Sequence, residues 1–192
     1  WERAKLISDR GIDCGNPAAD SRGNLIAVVY EGTFKGMSGI YASVSVNGGA
    51  DFIQPVKIAE YSTSINKNPG VAISRGGEIF VVWNILSDDE ANGAIYYSRS
   101  ADLGATWSAP EQITFGMQME ILPVFAFDEQ DKLHLFYTAY NKKIFNLFHS
   151  VREEGKFNKP EPVARFEGNI KGAFFPAVKF NKNSAVVLWQ TK

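Results

Sequence analysis

The 192 residues carry 20 basic and 21 acidic side chains, a net charge of −1, with 45% hydrophobic and 13% aromatic residues. That composition suits a globular chain with a substantial core, and with no block of like charge it lacks the electrostatic footprint of a nucleic-acid or anionic-membrane binder. No apolar run approaches the roughly 20 residues of a membrane span, and the single Cys14 cannot close an internal disulfide.

The chain opens on Trp1-Glu2-Arg3-Ala4-Lys5-Leu6-Ile7. With neither Met nor a signal-peptide pattern, this reads as a processed or excised end. Its grammar is aromatic, two residues, Ala or Pro, two residues, aliphatic, and it returns at 52–58, 107–113 and 157–163. A Pro is tolerated in a strand where its missing N–H faces no partner, so this series predicts sheet-edge strands.

A second series begins at Pro17 and returns at Pro69, Pro123 and Pro176, with spacings of 52, 54 and 53 residues. Each Pro is followed by a polar hairpin and then a dense apolar run, at 25–30, 79–83, 133–137 and 185–189. These β-branched and aromatic runs, bounded by Gly, Asn and Asp, predict strands, and their lack of alternation predicts burial on both faces. Third strands follow at 39–44, 93–98 and 144–150.

Units of about fifty residues with four antiparallel strands each are the repeat of a β-propeller. A β-sandwich predicts no such period. The expected fold is therefore an all-β propeller: an edge strand at 1–8, blades at 14–60, 66–114 and 121–165, and the first two strands of a further blade at 174–192. Nearly four blades imply part of a larger propeller, or two copies that complete a ring together.

The stretch Ser100-Ala101-Asp102-Leu103-Gly104-Ala105-Thr106-Trp107 follows one of the third strands and has turn chemistry. Asp accepts from nearby backbone N–H groups, Gly takes a positive φ, and Trp drops under the turn. At Ser100, Asp102, Gly104, Thr106 and Trp107 it resembles the Asp box of sialidase-like β-propellers. The resemblance concerns architecture, because proteins with unrelated activities share that turn. It implies a secreted or periplasmic protein. It also implies which face carries ligands, namely the loops entering inner strands and those between second and third strands, opposite the Asp-box turn.

On that face lie Arg10, Asp13, Glu31, Lys67, the acidic cluster Asp88-Asp89-Glu90, and Tyr140. Loops held on a rigid scaffold are where binding and catalysis concentrate. In sialidases, the resemblance implies three Arg residues gripping the substrate carboxylate, one of them two residues before an inner-strand Pro, because a guanidinium fork matches a carboxylate. Here those positions hold Gly15, Lys67, Ile121 and Phe174. Arg22, Arg75 and Arg152 are expected in turns on the opposite face, and Arg3, Arg99 and Arg165 in or beside outer strands, which leaves Arg10. The Tyr nucleophile of the family has only loose matches in Tyr30 with Glu31, and in Tyr140.

The other chemistry-bearing residues read as structural. Asp88 to Glu90 hold carboxylates that Ca²⁺ or an acid pair would use, but neighbouring acids on a loop tip are mostly solvated. Asp128 to Asp131 read as a hairpin turn, His134 and His149 have no metal-ligand spacing, and Cys14 reads as a small buried residue entering a strand. Tyr30, Trp83, Tyr137 and Trp189, at equivalent strand ends, read as packing between blades. The sequence thus predicts no catalytic residue, metal or cofactor in this segment, and a propeller that serves as a platform for a glycan or a protein partner. A sialidase-like glycoside hydrolase, its catalytic residues partly outside the segment, is the alternative.

Overall fold

The computed structural model describes residues 4–8, 11–61, 65–87, 89, 92–113, 115–141, 144–163, 172–182 and 184–191. Among them the regular structure is entirely β, in four sheets taken consecutively along the chain. The first pairs β1 (Asp13–Arg22), β2 (Leu25–Phe34), β3 (Met37–Ser45) and β4 (Val56–Tyr61) in that order. The second pairs β5 (Ile65–Ile73), β6 (Ile79–Leu86), β7 (Gly93–Ser100) and β8 (Glu111–Ile113). The third pairs β9 (Gln118–Phe127), β10 (Leu133–Asn141) and β11 (Ile144–Glu153), with two short strands, β12 (Lys156–Phe157) and β13 (Glu161–Pro162), both on β11. The fourth is the hairpin β14 (Ala173–Asn181) with β15 (Ser184–Thr191). All these pairings are antiparallel, as expected for strands joined by short hairpins.

The sheets bury their faces against one another. Ala27, Val29, Ile40 and Val44 of the first meet Val71, Ile73, Val81 and Trp83 of the second. On its other side the second sheet sets Phe80, Val82 and Tyr97 against Phe125, Leu135 and Tyr137 of the third. Phe136 and Leu147 then meet Ala173, Val178 and Phe180 of the fourth. This is why β6 is apolar without alternation: all of it except Ile85 is buried. Each such side chain contributes about 1.5–3 kcal/mol on burial.

The innermost strands β1, β5, β9 and β14 line a channel of about 490 Å³. No ladder joins one of these strands to the next, so side chains supply the missing partners. Asp20 Oδ2 accepts from Ile73 N at 2.8 Å and Arg22 Nε donates to Ile73 O at 3.2 Å.

Several expectations need correction. Of the edge strand expected at 1–8, residues 1–3 lie outside the described residues and residues 4–8 form no strand. The run 185–189 is a strand but is packed on one side only, leaving Val186 56% and Leu188 65% exposed. Cys14 is exposed. Arg22 belongs to β1, and the turn is confined to Gly23 and Asn24, with Gly23 at a φ of 59°.

Candidate functional site

Each inner strand carries one residue followed by Pro: Asn16-Pro17, Asn68-Pro69, Leu122-Pro123 and Phe175-Pro176. Proline brings no N–H to the ladder, and the pairing skips both residues. Register jumps from Gly15 to Ala18, from Lys67 to Gly70, from Ile121 to Val124 and from Phe174 to Ala177. Inside each bulge the residue before Pro is left-handed, with φ of 44° at Asn16, 55° at Asn68, 54° at Leu122 and 53° at Phe175. A residue before Pro is ordinarily extended, and a non-glycine residue in this region costs about 1–3 kcal/mol, least where it is Asn.

The four dipeptides surround a cleft of about 240 Å³ at the end of the channel. It opens where chains enter the inner strands, the face expected to carry ligands. Polar side chains of the second strands clasp it together. Glu31 Oε1 accepts from Asn16 Nδ2 at 2.7 Å and from Asn68 N at 2.5 Å, joining the first sheet to the second. At the equivalent position in β6, Asn84 Oδ1 accepts from Asn68 Nδ2 at 3.0 Å and from Leu122 N at 3.1 Å, joining the second to the third. In β10 the equivalent Thr138 donates from Oγ1 to Ala173 O at 2.9 Å.

Not every expected residue arrives here. Glu31 does, and Lys67 immediately precedes Asn68 and pairs with Asn84 in the ladder. Asp13 is exposed two rungs further out, opposite Thr33. Asp89 is exposed in the connection after β6, accepting from Ser87 Oγ at 2.6 Å, and Tyr140 lies against Phe145, ring centroids 5.1 Å apart. Arg10, Asp88 and Glu90 lie outside the described residues. Asn68 belongs to the loop 66–68 expected on that face; Asn16, Leu122 and Phe175, which the sequence reading passed over, carry the same signal in plain sight, for each stands directly before a repeat Pro.

Among the described residues no Arg lines the cleft. Arg22 is held by Ile73, Arg75 donates to Glu129 O, Arg99 pairs with Glu78 at 2.6 Å, and Arg152 lies 5.6 Å from the centre of the Phe80 ring. Nearby, Glu120 is 1% exposed, its Oε1 accepting from Phe115 N at 3.1 Å and Met117 N at 3.2 Å. Burial raises its pKa against those two hydrogen bonds. The Tyr137 hydroxyl is also buried, and burial, then the charge of Glu120, raise its pKa. Neither is poised as a nucleophile.

At the other end of the sheets, the 100–107 turn closes on itself. Ser100 Oγ donates to Asp102 Oδ1 at 2.8 Å and accepts from Gly104 N at 2.8 Å. Thr106 donates its N–H to Asp102 Oδ1 at 2.9 Å and its hydroxyl to Oδ2 at 2.6 Å. The Thr106 hydroxyl first, then its N–H and Ser100, hold the Asp102 pKa down to about 2. The 45–52 turn of the first sheet repeats the plan. Asn47 Oδ1 accepts from Ser45 Oγ and Asp51 N, both at 2.9 Å, and Gly49 N donates to Ser45 Oγ at 2.9 Å.

No protein-family model and no curated protein matches the chain in sequence. In three dimensions, 97% of it superposes on 64% of a protein of unknown function from Dyadobacter fermentans, with a TM-score of 0.73 and 12% identity. It superposes equally fully on 50% of the NanB sialidase of Streptococcus pneumoniae, with a TM-score of 0.74 and 7% identity. A GH93 α-L-arabinofuranosidase of Fusarium graminearum matches 96% of the chain over 59% of its own length, with a TM-score of 0.70 and 13% identity. The fold is that of a sialidase-like β-propeller. The chain spans less than two thirds of each of these three proteins. The four sheets are blades of that propeller, and the cleft bounded by the four X-Pro bulges is axial.

Proposed function

We propose that this propeller segment binds an uncharged glycan in its axial cleft and performs no covalent chemistry with its own residues. The observation that carries the reading is the cleft lining: the side-chain amides of Asn16, held by Glu31, and of Asn68, held by Asn84, share one small space with four prolyl rings, Leu122 and Phe175. Amide and carboxylate oxygens accept from sugar hydroxyls, while apolar rings suit the C–H faces of a sugar. Among the described residues no guanidinium lines the cleft, and the Glu31 carboxylate stands behind Asn16 and Asn68, so a negatively charged sugar acid finds no fork there. Glycoside hydrolysis typically needs two carboxyl groups about 5–9.5 Å apart across the scissile bond, and among the described residues no carboxyl group lines the cleft. In this reading the remaining blades belong to the same chain or a second copy, and the protein works outside the cell or in the periplasm.

The test is a glycan array followed by calorimetry. Neutral oligosaccharides are expected to bind, 3′-sialyllactose is not, and Glu31→Ala is expected to weaken binding about tenfold. Turnover of a fluorogenic sialoside or arabinofuranoside by the purified chain would instead favour a hydrolase.

A further inference from the structure

Phe175 stands apart from the other residues of the cleft. It is 59% exposed, left-handed at a φ of 53°, and lines the axial space. Its neighbour Phe174 turns the other way and packs on Phe145, centroids 5.2 Å apart. Among the described residues the Phe175 ring has no aromatic partner of its own. The same position is Asn16 in the first blade and Asn68 in the second, the residue type that tolerates this backbone best. For folding alone Asn is the better choice at 175 as well. A phenyl ring on this backbone departs from the local preference, and such departures concentrate at functional sites.

The four left-handed positions thus divide the cleft. Asn16 and Asn68, beside Pro17 and Pro69, make one side polar; Leu122 and Phe175, with Pro123 and Pro176, make the other apolar. We propose that Phe175 is the stacking platform of this cleft: the apolar face of an uncharged sugar ring lies on its phenyl ring, and the ring hydroxyls reach the amides of Asn16 and Asn68. The inference rests on the glycan reading and adds to it the residue that selects a ring with one apolar face.

The experiment uses the whole chain and two variants, F175N and F175W, with neutral arabino-, galacto- and gluco-oligosaccharides titrated by calorimetry and melting temperature measured in parallel. F175N installs the Asn-Pro pair that the first two blades already use, so its melting temperature should equal or exceed the parent's. Its affinity should fall about tenfold or more, while F175W should bind like the parent. A parent that binds and an F175N variant that binds equally well would overturn the platform and leave the glycan reading standing. The same holds if F175N melts several degrees lower with unchanged affinity, which would make Phe175 a packing residue. A parent that binds none of these sugars, or that binds only a protein, would overturn both.

Discussion

His134 Nδ1 and His149 Nε2 lie 2.8 Å apart in the seam between the third and fourth blades, and His134 Nε2 reaches Asp128 Oδ2 at 3.2 Å. Both contacts are satisfied when the two rings are neutral: His149 donates to His134, which donates to Asp128. A proton on each ring would set two N–H groups against one another. Burial first, and then His134, lower the His149 pKa, with Glu161 opposing. The folded value therefore lies below the unfolded one of 6.5. Between the two the unfolded chain binds more protons, so this contribution is complete above pH 6.5 and is lost as pH falls below it. Phe180 of the fourth blade sits 4.5 Å from the His134 ring, so that seam should loosen first. The expected result is a fall of about 2–4 °C in melting temperature between pH 7 and pH 5.5, flattened in His149→Phe. An equally steep fall in that variant would remove the pair from the explanation.

Gly104 ties the 100–107 turn to the neighbouring blade. At a φ of 89° it sits where an added Cβ would lie 2.5 Å from Val44 Cγ2, across the seam between the first two blades. Gly104→Ala meets both a left-handed penalty and a clash, and should cost about 2–4 kcal/mol in urea unfolding. Gly36→Ala, at a φ of 79° with nothing within 4 Å, meets only the backbone penalty and should cost about 1 kcal/mol. Equal losses for the two would mean that the turn is not seated on Val44.

The parts of this structure legible in the sequence are those set by local chemistry. A Pro every fifty-odd residues fixes where each inner strand bulges, and the Ser100, Asp102, Gly104 and Thr106 spacing closes a turn whatever surrounds it. The twin turn at 45–52 escaped because its donors and acceptors are exchanged. Asn47 Nδ2 donates to Asp51 Oδ2 at 3.1 Å, where Thr106 donates to Asp102, so the hydrogen-bonding plan survives and the residue pattern does not. The cleft was hidden for a different reason. A residue before Pro is expected to be extended, and the left-handed turn that aims Phe175 at the axis arises from the bulge. Asp13, Asp89 and Tyr140 lie away from the cleft, because distance from the axis depends on how blades pack, which spacing along the chain does not encode.

Glu120 is a carboxyl group whose burial raises its pKa above the ordinary 4.5. The native state then holds the proton more tightly than the unfolded chain, so stability declines as pH rises from 4.5 through the folded value. Glu120→Gln keeps an oxygen to accept from Phe115 N and Met117 N and removes the buried charge. It should match or exceed the parent in melting temperature at pH 8. A clear loss there would show that the ionised carboxylate is needed.

Asn84 supports the axial cleft from behind. It is fully buried, and its Oδ1 is the acceptor for both Asn68 Nδ2 and Leu122 N. Asn84→Ala strands those two donors in the seam between the second and third blades, a loss of about 1–3 kcal/mol. Asn84→Asp keeps the acceptor, but as a carboxylate in a dry seam, so it should recover stability only at low pH, where it is protonated. If Asn84→Ala unfolds at the parent's urea midpoint, the clasp contributes nothing and the cleft is held by blade packing alone. If it is destabilised as expected, glycan affinity should fall with it, because Asn68 presents its amide to the cleft only while Asn84 holds it.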